Sequence, residues 1–148
     1  MKKIIVFDFN RTLYDHPNQQ LFAGVREMLA ELCGHGFDLY LICQNRKPQR
    51  NALIEQQNIL TFFKQVHIVP IKLFDHFQQI ATDEIDRAYS YVVGDFIKQE
   101  ITFGNRLGFQ TIWIKDDSLP NNFPVLPLEQ PTHTIKLISE ILDIITVI

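Results

Sequence analysis

Two aspartates and a glutamate stand where short apolar runs of this sequence end. Asp8 directly follows Ile4–Phe7, Asp95 follows Tyr91–Val93 and one glycine, and Glu100 comes five positions later. Carboxylates from separate strand ends of one sheet can converge on a divalent cation such as Mg²⁺, which prefers hard oxygen ligands. A single aspartate after a strand is often only a helix cap or a loop residue. Two of them, each after a strand of buried type, favour a metal-assisted site.

The elements that must position these side chains alternate between short apolar runs and longer amphipathic stretches. This alternation is typical of a parallel sheet with helices on both faces. The predicted strands are Ile4–Phe7, Phe37–Cys43, Val66–Val69, Tyr91–Val93 and Thr111–Ile114. The predicted helices are Val25–Leu32, Lys47–Gln57, Leu73–Ile80, Gln99–Leu107 and Thr134–Val147, and residues 116–131 are predicted to form a loop.

The sequence therefore predicts an α/β fold of three layers, doubly wound and Rossmann-like, with a five-stranded parallel sheet. In such sheets, ligands bind outside the carboxyl ends of the strands. The length of 148 residues predicts one domain spanning residues 1–148.

Composition and charge exclude several classes of function. Hydrophobic residues make up 46% of the chain and the net charge is -3, so we expect a globular protein without a nucleic-acid partner. The apolar start ends at Asp8, too soon for a signal peptide, and no stretch approaches the length of a membrane span. We therefore expect a cytoplasmic protein without a membrane partner. The five histidines are scattered and show no metal-binding spacing.

The residues around the carboxylates resemble two motifs of the haloacid dehalogenase (HAD) superfamily. Residues 4–13, IIVFDFNRTL, are similar to its first motif, a hydrophobic strand followed by Asp-x-Asp-x-Thr. Residues 91–100, YVVGDFIKQE, resemble its fourth motif, Gly-Asp-x4-Asp, with Glu in the last place. The resemblance extends from Lys3 to about Ile114.

This resemblance implies a phosphorylated substrate and an aspartyl-phosphate formed on Asp8. It also implies a Mg²⁺ ion held by Asp8, by Asp95 and by the backbone carbonyl of Asn10. Glu100 is open to two interpretations. It binds the ion directly or through water, or it is a solvated residue in the first turn of a helix.

The remaining motif positions imply the phosphate-binding residues. Thr12 belongs to the first motif, and the second motif, which ends its strand in Ser or Thr, corresponds to Cys43, Gln44 and Asn45. A thiol is a weak donor, so Cys43 is equally open to interpretation as a buried strand-end residue. Lys72 matches the lysine that steadies phosphoryl charge, and the alternative is a solvated surface lysine.

Asn10 is the main departure from the family pattern. Phosphatase members have Asp there, which protonates the leaving group and then activates water, and an amide does neither. General acid–base catalysis contributes about 10²- to 10⁴-fold, so its loss slows turnover. Two functions therefore remain open: a slow phosphohydrolase, and a catalytically impaired module that binds a phosphorylated ligand or a protein partner.

The spacing of the motifs leaves no room for the cap domain that many HAD phosphatases carry. Only Leu13–Gly24 separates the first strand from the first helix, and Gln44–Pro70 is largely used by a helix and a strand. We therefore expect a capless protein. By resemblance, such members have an open site or close it with a neighbouring subunit, which would make this chain a homo-oligomer.

Overall fold

The computed structural model describes residues 1–45 and 49–145, and within them the central element is a parallel sheet. In chain order the strands are β1 (Ile4–Phe7), β2 (Tyr14–Asp15), β3 (Gln20–Leu21), β4 (Asp38–Gln44), β5 (Phe63–Val69), β6 (Tyr91–Gly94), β7 (Gln110–Ile114) and β8 (His133–Ile135). β2 and β3 form an antiparallel hairpin. The other six strands form the sheet, all parallel, in the order β5-β4-β1-β6-β7-β8.

Helices connect these strands. They are α1 (Val25–Gly34), α2 (Gln49–Gln56), α3 (Phe74–Gln78), α4 (Thr102–Arg106) and α5 (Ile141–Ile144). A π-helical turn, Ile97–Ile101, runs directly into α4. Short 3-10 turns lie at Leu60–Phe62, Arg87–Tyr89, Pro127–Glu129 and Ile138–Glu140. No helix in the described part of the chain is both long and apolar enough to cross a membrane.

β1 lies at the centre of the sheet because its side chains are apolar on both faces. Ile5 and Phe7 pack into one hydrophobic core, and Ile4 and Val6 pack into a second core on the opposite face. All four residues are buried. A strand that is apolar on both faces avoids water only when helices cover both sides of the sheet. The predicted three-layer α/β fold is therefore confirmed.

The prediction of five strands was wrong by one strand, and the error is linked to the last predicted helix. Residues expected to begin that helix form β8 instead, and the helix in this region is only α5. The buried residues Ile135, Ile138, Ile141 and Ile145 have a spacing that resembles a helical stripe. The backbone groups along the outer edge of β7 need hydrogen-bond partners, however, and β8 supplies them. Just beyond β7, Lys115 N donates to Ile135 O of β8 at 2.8 Å. The predicted end of this helix, residues 146–147, lies outside the described residues.

The segments where a cap would be inserted are short in the structure. Between β1 and α1 lies the β2–β3 hairpin, which the sequence pattern did not predict. Between β4 and β5 the described residues form α2 and a 3-10 turn. Nothing larger is inserted at either place within residues 1–45 and 49–145, so the carboxyl edge of the sheet stays open.

Candidate active site

Two neighbouring strands bring Asp8 and Asp95 together. Phe7 in β1 pairs with Val93 in β6, and Asp8 N donates to Val93 O at 3.1 Å. Carboxylate oxygens of Asp8, Asp95 and Glu100 all lie within 4.8 Å of one another, and all three residues are buried. Asp8 and Glu100 are 92 positions apart in the sequence, and the fold brings them into one site.

Glu100 reaches the cluster through the π-helical turn that follows β6. The turn folds back over the strand end, so the Glu100 side chain packs directly on Gly94. A Cβ atom at position 94 would collide with the Glu100 side chain, which explains the glycine before Asp95. Glu100 is 1% exposed, so its interpretation as a solvated helix residue was wrong.

Lys72 lies between two of these carboxylates. It follows β5, and its Nζ is 2.5 Å from Asp8 Oδ1 and 2.5 Å from Glu100 Oε1. At 4% exposure, Lys72 is not the solvated surface lysine of the alternative interpretation. Asp8 Oδ1 also accepts a hydrogen bond from Phe9 N at 2.8 Å, and the two donors together fix the orientation of the Asp8 carboxylate.

The site carries more negative than positive charge, which shifts its pKa values. Burial, then the charges of Asp8 and Glu100, raise the pKa of Asp95 to about 8. Burial is also the main cause that raises the pKa of Glu100 to about 7, opposed by the Lys72 ammonium. Burial acts to lower the pKa of Lys72, but the carboxylates of Asp8 and Glu100 outweigh it and raise that pKa above its usual value. Because their pKa values are raised, Asp95 and Glu100 hold protons that a bound cation would displace.

The donor set fits a divalent cation. When all three carboxyl groups are ionised, their negative charge exceeds the charge of the Lys72 ammonium by two, and Glu100 Oε2 is buried without a hydrogen-bond partner among the described residues. Mg²⁺ is bound by carboxylate and carbonyl oxygens and supplies two positive charges. Asp8, Asp95 and Glu100 are the side chains that could hold it.

A cavity of about 560 Å³ opens over these carboxylates. Seven residues that the sequence predicted for the site line it: Asp8, Asn10, Cys43, Gln44, Lys72, Asp95 and Glu100. Two others do not. Thr12 is completely buried outside the cavity lining, and Asn45 lies beyond it, where its Nδ2 donates to Asn51 Oδ1 at 3.2 Å. Thr12 and Asn45 therefore lie outside the lining of this cavity, and their predicted role in binding phosphate stays a prediction.

Gln44 connects the two sides of the cavity. Its Oε1 accepts hydrogen bonds from Lys72 N at 3.3 Å and from Gln99 Nε2 at 3.4 Å. Cys43 is buried beside it, with its Sγ 3.6 Å from Gln44 O. This arrangement ties the end of β4 to the segment that carries Lys72.

Four further residues line the cavity that sequence reasoning missed: Arg11, His16, Phe96 and Gln99. His16, one of the five histidines without metal-binding spacing, lies between β2 and β3 of the hairpin and lines this cavity. Recognising a hairpin directly after the first motif would have pointed to His16.

Comparisons with known proteins find relatives named as hydrolases and nucleotidases. No protein-family model matches the chain. YfnB of Bacillus subtilis, a HAD-hydrolase by name, is 22% identical over 86% of this chain and 55% of its own length. The pyrimidine 5'-nucleotidase PynA of Streptococcus pneumoniae is 26% identical over 84% of this chain and 54% of its own length. The chain thus spans about half the length of these curated relatives.

Solved structures share the fold. A HAD phosphatase from Thermococcus onnurineus superposes with a TM-score of 0.76, at 12% identity, over 99% of each chain. The magnesium-bound structure of YfnB superposes with a TM-score of 0.69, at 20% identity, over 86% of this chain and 57% of YfnB. These two superpositions show that the chain shares its fold with both proteins.

Replacing Gly94 by Ala tests the packing of Glu100 over the strand end. We expect Gly94→Ala to destabilise the protein by about 1–3 kcal/mol, because the new methyl group displaces the Glu100 side chain. Mg²⁺ affinity should fall as well. Gly34→Ala is the matched control, since a Cβ atom there meets nothing within 4 Å. Urea denaturation and calorimetry measure both effects, and equal stability of the two variants would contradict the proposed packing.

The raised pKa values predict how the stability of metal-free protein depends on pH. In the folded state, Asp95 and Glu100 hold protons up to a pKa of about 8 and about 7, well above their ordinary values. Their contribution to stability is therefore complete below about pH 4 and is lost as pH rises through 7 and 8. We expect the melting temperature in EDTA to fall between pH 5 and pH 8, and Mg²⁺ to restore more of it at pH 8.

Asp95→Asn is the control for this experiment because an amide does not titrate. Its melting temperature should fall less between the same two pH values, and its Mg²⁺ affinity should be weaker by about tenfold or more because it lacks one negative ligand. Identical pH profiles and identical Mg²⁺ affinities for wild type and variant would remove Asp95 from the metal site.

Proposed function

We propose that this chain, a member of the haloacid dehalogenase superfamily, is a Mg²⁺-dependent phosphohydrolase that acts through an aspartyl-phosphate on Asp8. The observation that carries the proposal is the buried ion-pair cluster in which Lys72 bridges Asp8 and Glu100 beside Asp95. The hydrolase names of YfnB and PynA support it at the level of reaction class. Because the chain spans about half of each relative, the nucleotide substrates that PynA's name implies are only candidates here.

The first step needs a carboxylate held in a fixed direction. Lys72 and the Phe9 N–H orient Asp8 through Oδ1, so a carboxylate oxygen of Asp8 can attack the phosphorus of a bound ester. A bond forms between that oxygen and phosphorus, and the bond from phosphorus to the ester oxygen breaks. The Lys72 ammonium stabilises negative charge that develops on the phosphoryl oxygens. The departing oxygen then requires a proton.

Asp8, Asp95 and Glu100 would hold Mg²⁺, with the carbonyl of Asn10 as a further oxygen ligand. The ion, when bound, neutralises the charge of phosphate and carboxylates and so permits their approach. The carboxylate oxygens within 4.8 Å of one another support this assignment.

Asn10 limits proton transfer. Its Nδ2 can donate a hydrogen bond to a phosphoryl oxygen, but an amide has no proton to give a leaving group and cannot take one from water. Turnover is therefore slow for esters of weakly acidic alcohols. Hydrolysis of the aspartyl-phosphate also lacks its usual base, which favours accumulation of phosphate on Asp8.

A second candidate function is a HAD-like module that binds a phosphorylated ligand or a protein partner without turnover. Asn10 and Cys43 favour it, because each replaces a residue that assists catalysis in the phosphatase pattern. The open cavity over Asp8 is compatible with both functions. The two differ in whether phosphate is released.

A phosphatase assay over a panel of substrates distinguishes the two functions. The panel should contain nucleoside monophosphates, sugar phosphates and p-nitrophenyl phosphate, each with Mg²⁺ or with EDTA. We expect slow, Mg²⁺-dependent release of phosphate by wild type and a loss of about a thousandfold or more in Asp8→Asn, which lacks the nucleophile. Mg²⁺-dependent binding without release, equal in wild type and Asp8→Asn, would favour the binding module.

Restoring the missing acid tests the role of Asn10. We expect Asn10→Asp to raise turnover of alkyl phosphates by about 10²- to 10⁴-fold, because their leaving oxygen needs a proton. The gain for p-nitrophenyl phosphate should be smaller, since its leaving group is already acidic. Mass spectrometry of wild type after incubation with a reactive phosphoryl donor should detect phosphate on Asp8. Should Asn10→Asp bind Mg²⁺ yet hydrolyse neither ester class, the absent acid is not the limiting feature.

A further inference from the structure

A second cavity, of about 340 Å³, opens beside the first. Its walls come from the loop after β6, from the loop after β7 and from Arg11. Arg11 and Phe96 line both cavities, so the second cavity borders the space above Asp8. A group bound there could therefore be covalently joined to a phosphate at the first cavity.

The chemistry of the second cavity is aromatic and basic. Phe96 is 41% exposed and Phe123 is 52% exposed, and both residues form part of its wall. Arg11 and Lys98 add positive charge, and no carboxylate lines it within the described part of the chain. Exposed phenyl rings gain from covering by an apolar partner, and aromatic partners add a specific stacking or edge contact. Cations also attract the π face of a ring.

Hydrogen bonds attach the wall of the second cavity to the strand end that carries Asp95. Asn122 Oδ1 accepts a hydrogen bond from Ile97 N at 2.9 Å, and Asn122 Nδ2 donates to Asp95 O at 2.5 Å. Trp113 Nε1 donates to the same carbonyl at 3.0 Å. The loop that carries Phe123 is thus attached directly to the backbone of Asp95. A ligand in the second cavity contacts a surface whose position relative to Asp8 is fixed.

From these observations, we propose that the second cavity binds an aromatic ring in the organic part of the phosphorylated substrate. The substrate class is a phosphomonoester whose alcohol carries an aromatic ring, held between Phe96 and Phe123 while its phosphate lies over Asp8. This inference rests on the proposed function, because it assumes that phosphate binds at the first cavity. It gives residues 119–123, which line the second cavity, a role in substrate choice.

Phosphonates test the inference without turnover, so leaving-group acidity does not enter. Calorimetry with Mg²⁺ compares methylphosphonate, benzylphosphonate and cyclohexylmethylphosphonate, of which the last two match in size but only one is aromatic. We expect benzylphosphonate to bind about tenfold more tightly than methylphosphonate, with the cyclohexyl compound in between. Phe123→Ala should remove most of the gain for benzylphosphonate and leave methylphosphonate affinity unchanged.

Val125→Ala is the matched control, since Val125 lies in the same loop, is 67% exposed and does not line the cavity. It should bind all three compounds like wild type, and thermal melting should show that both variants remain folded. Equal affinity of wild type for benzyl- and methylphosphonate overturns the inference but leaves the proposed function intact. Equal affinity of wild type for benzylphosphonate and cyclohexylmethylphosphonate also overturns the inference, because the cavity would then select apolar groups and not aromatic rings.

Two other outcomes would also overturn it. Absence of binding by all three phosphonates contradicts the proposed function, and this inference falls with it. Sedimentation of wild type as an oligomer that Phe123→Ala dissociates would assign the cavity to contact between copies of this chain instead.

Discussion

Burial of unbalanced negative charge at the carboxyl edge of the sheet is the constraint on which the rest of this site depends. Asp8, Asp95 and Glu100 converge within 4.8 Å, and Lys72 supplies one compensating charge. Buried charges are costly unless they are paired. The chain meets that cost through the Lys72 ion pairs and through protons held by Asp95 and Glu100 at raised pKa. A divalent cation would replace those protons, which links the stability of the fold to the chemistry of the site.

Several features that are otherwise unrelated serve this cluster. The π-helical turn and the glycine at position 94 allow Glu100 to lie over the end of β6. The loop after β7 reaches back through Asn122 and Trp113 to hold the carbonyl of Asp95. Gln44 holds the segment that carries Lys72. Glu100 is placed by packing, and the backbones of Asp95 and Lys72 are held by hydrogen bonds, so the geometry does not rely on the charges alone.

Because position 10 is Asn, the groups for binding and nucleophilic attack are present without the acid that transfers protons in the phosphatase pattern. The groups that would bind a cation and orient a phosphoryl group are present and buried, whereas the group that moves protons is an amide. Binding and nucleophilic attack depend on charge and direction, which Asp8 and Lys72 retain. Proton transfer depends on a titratable group at one exact position.

The sequence alone determined the layered α/β fold, the central position of β1 and the membership of Asp8, Asp95 and Lys72 in one site region. The first two features follow from hydrophobic periodicity, a local property of the chain, and the third is what the resemblance to the family's motifs implies. Only the tertiary structure decided that Glu100 is buried, that Thr12 lies outside the cavity and that residues 133–135 form a strand. Those outcomes depend on contacts between segments distant in sequence, such as the ion pairs of Lys72 and the bonding of β8 to β7. The free energy of such contacts arises only when the segments meet, and so local patterns do not contain it.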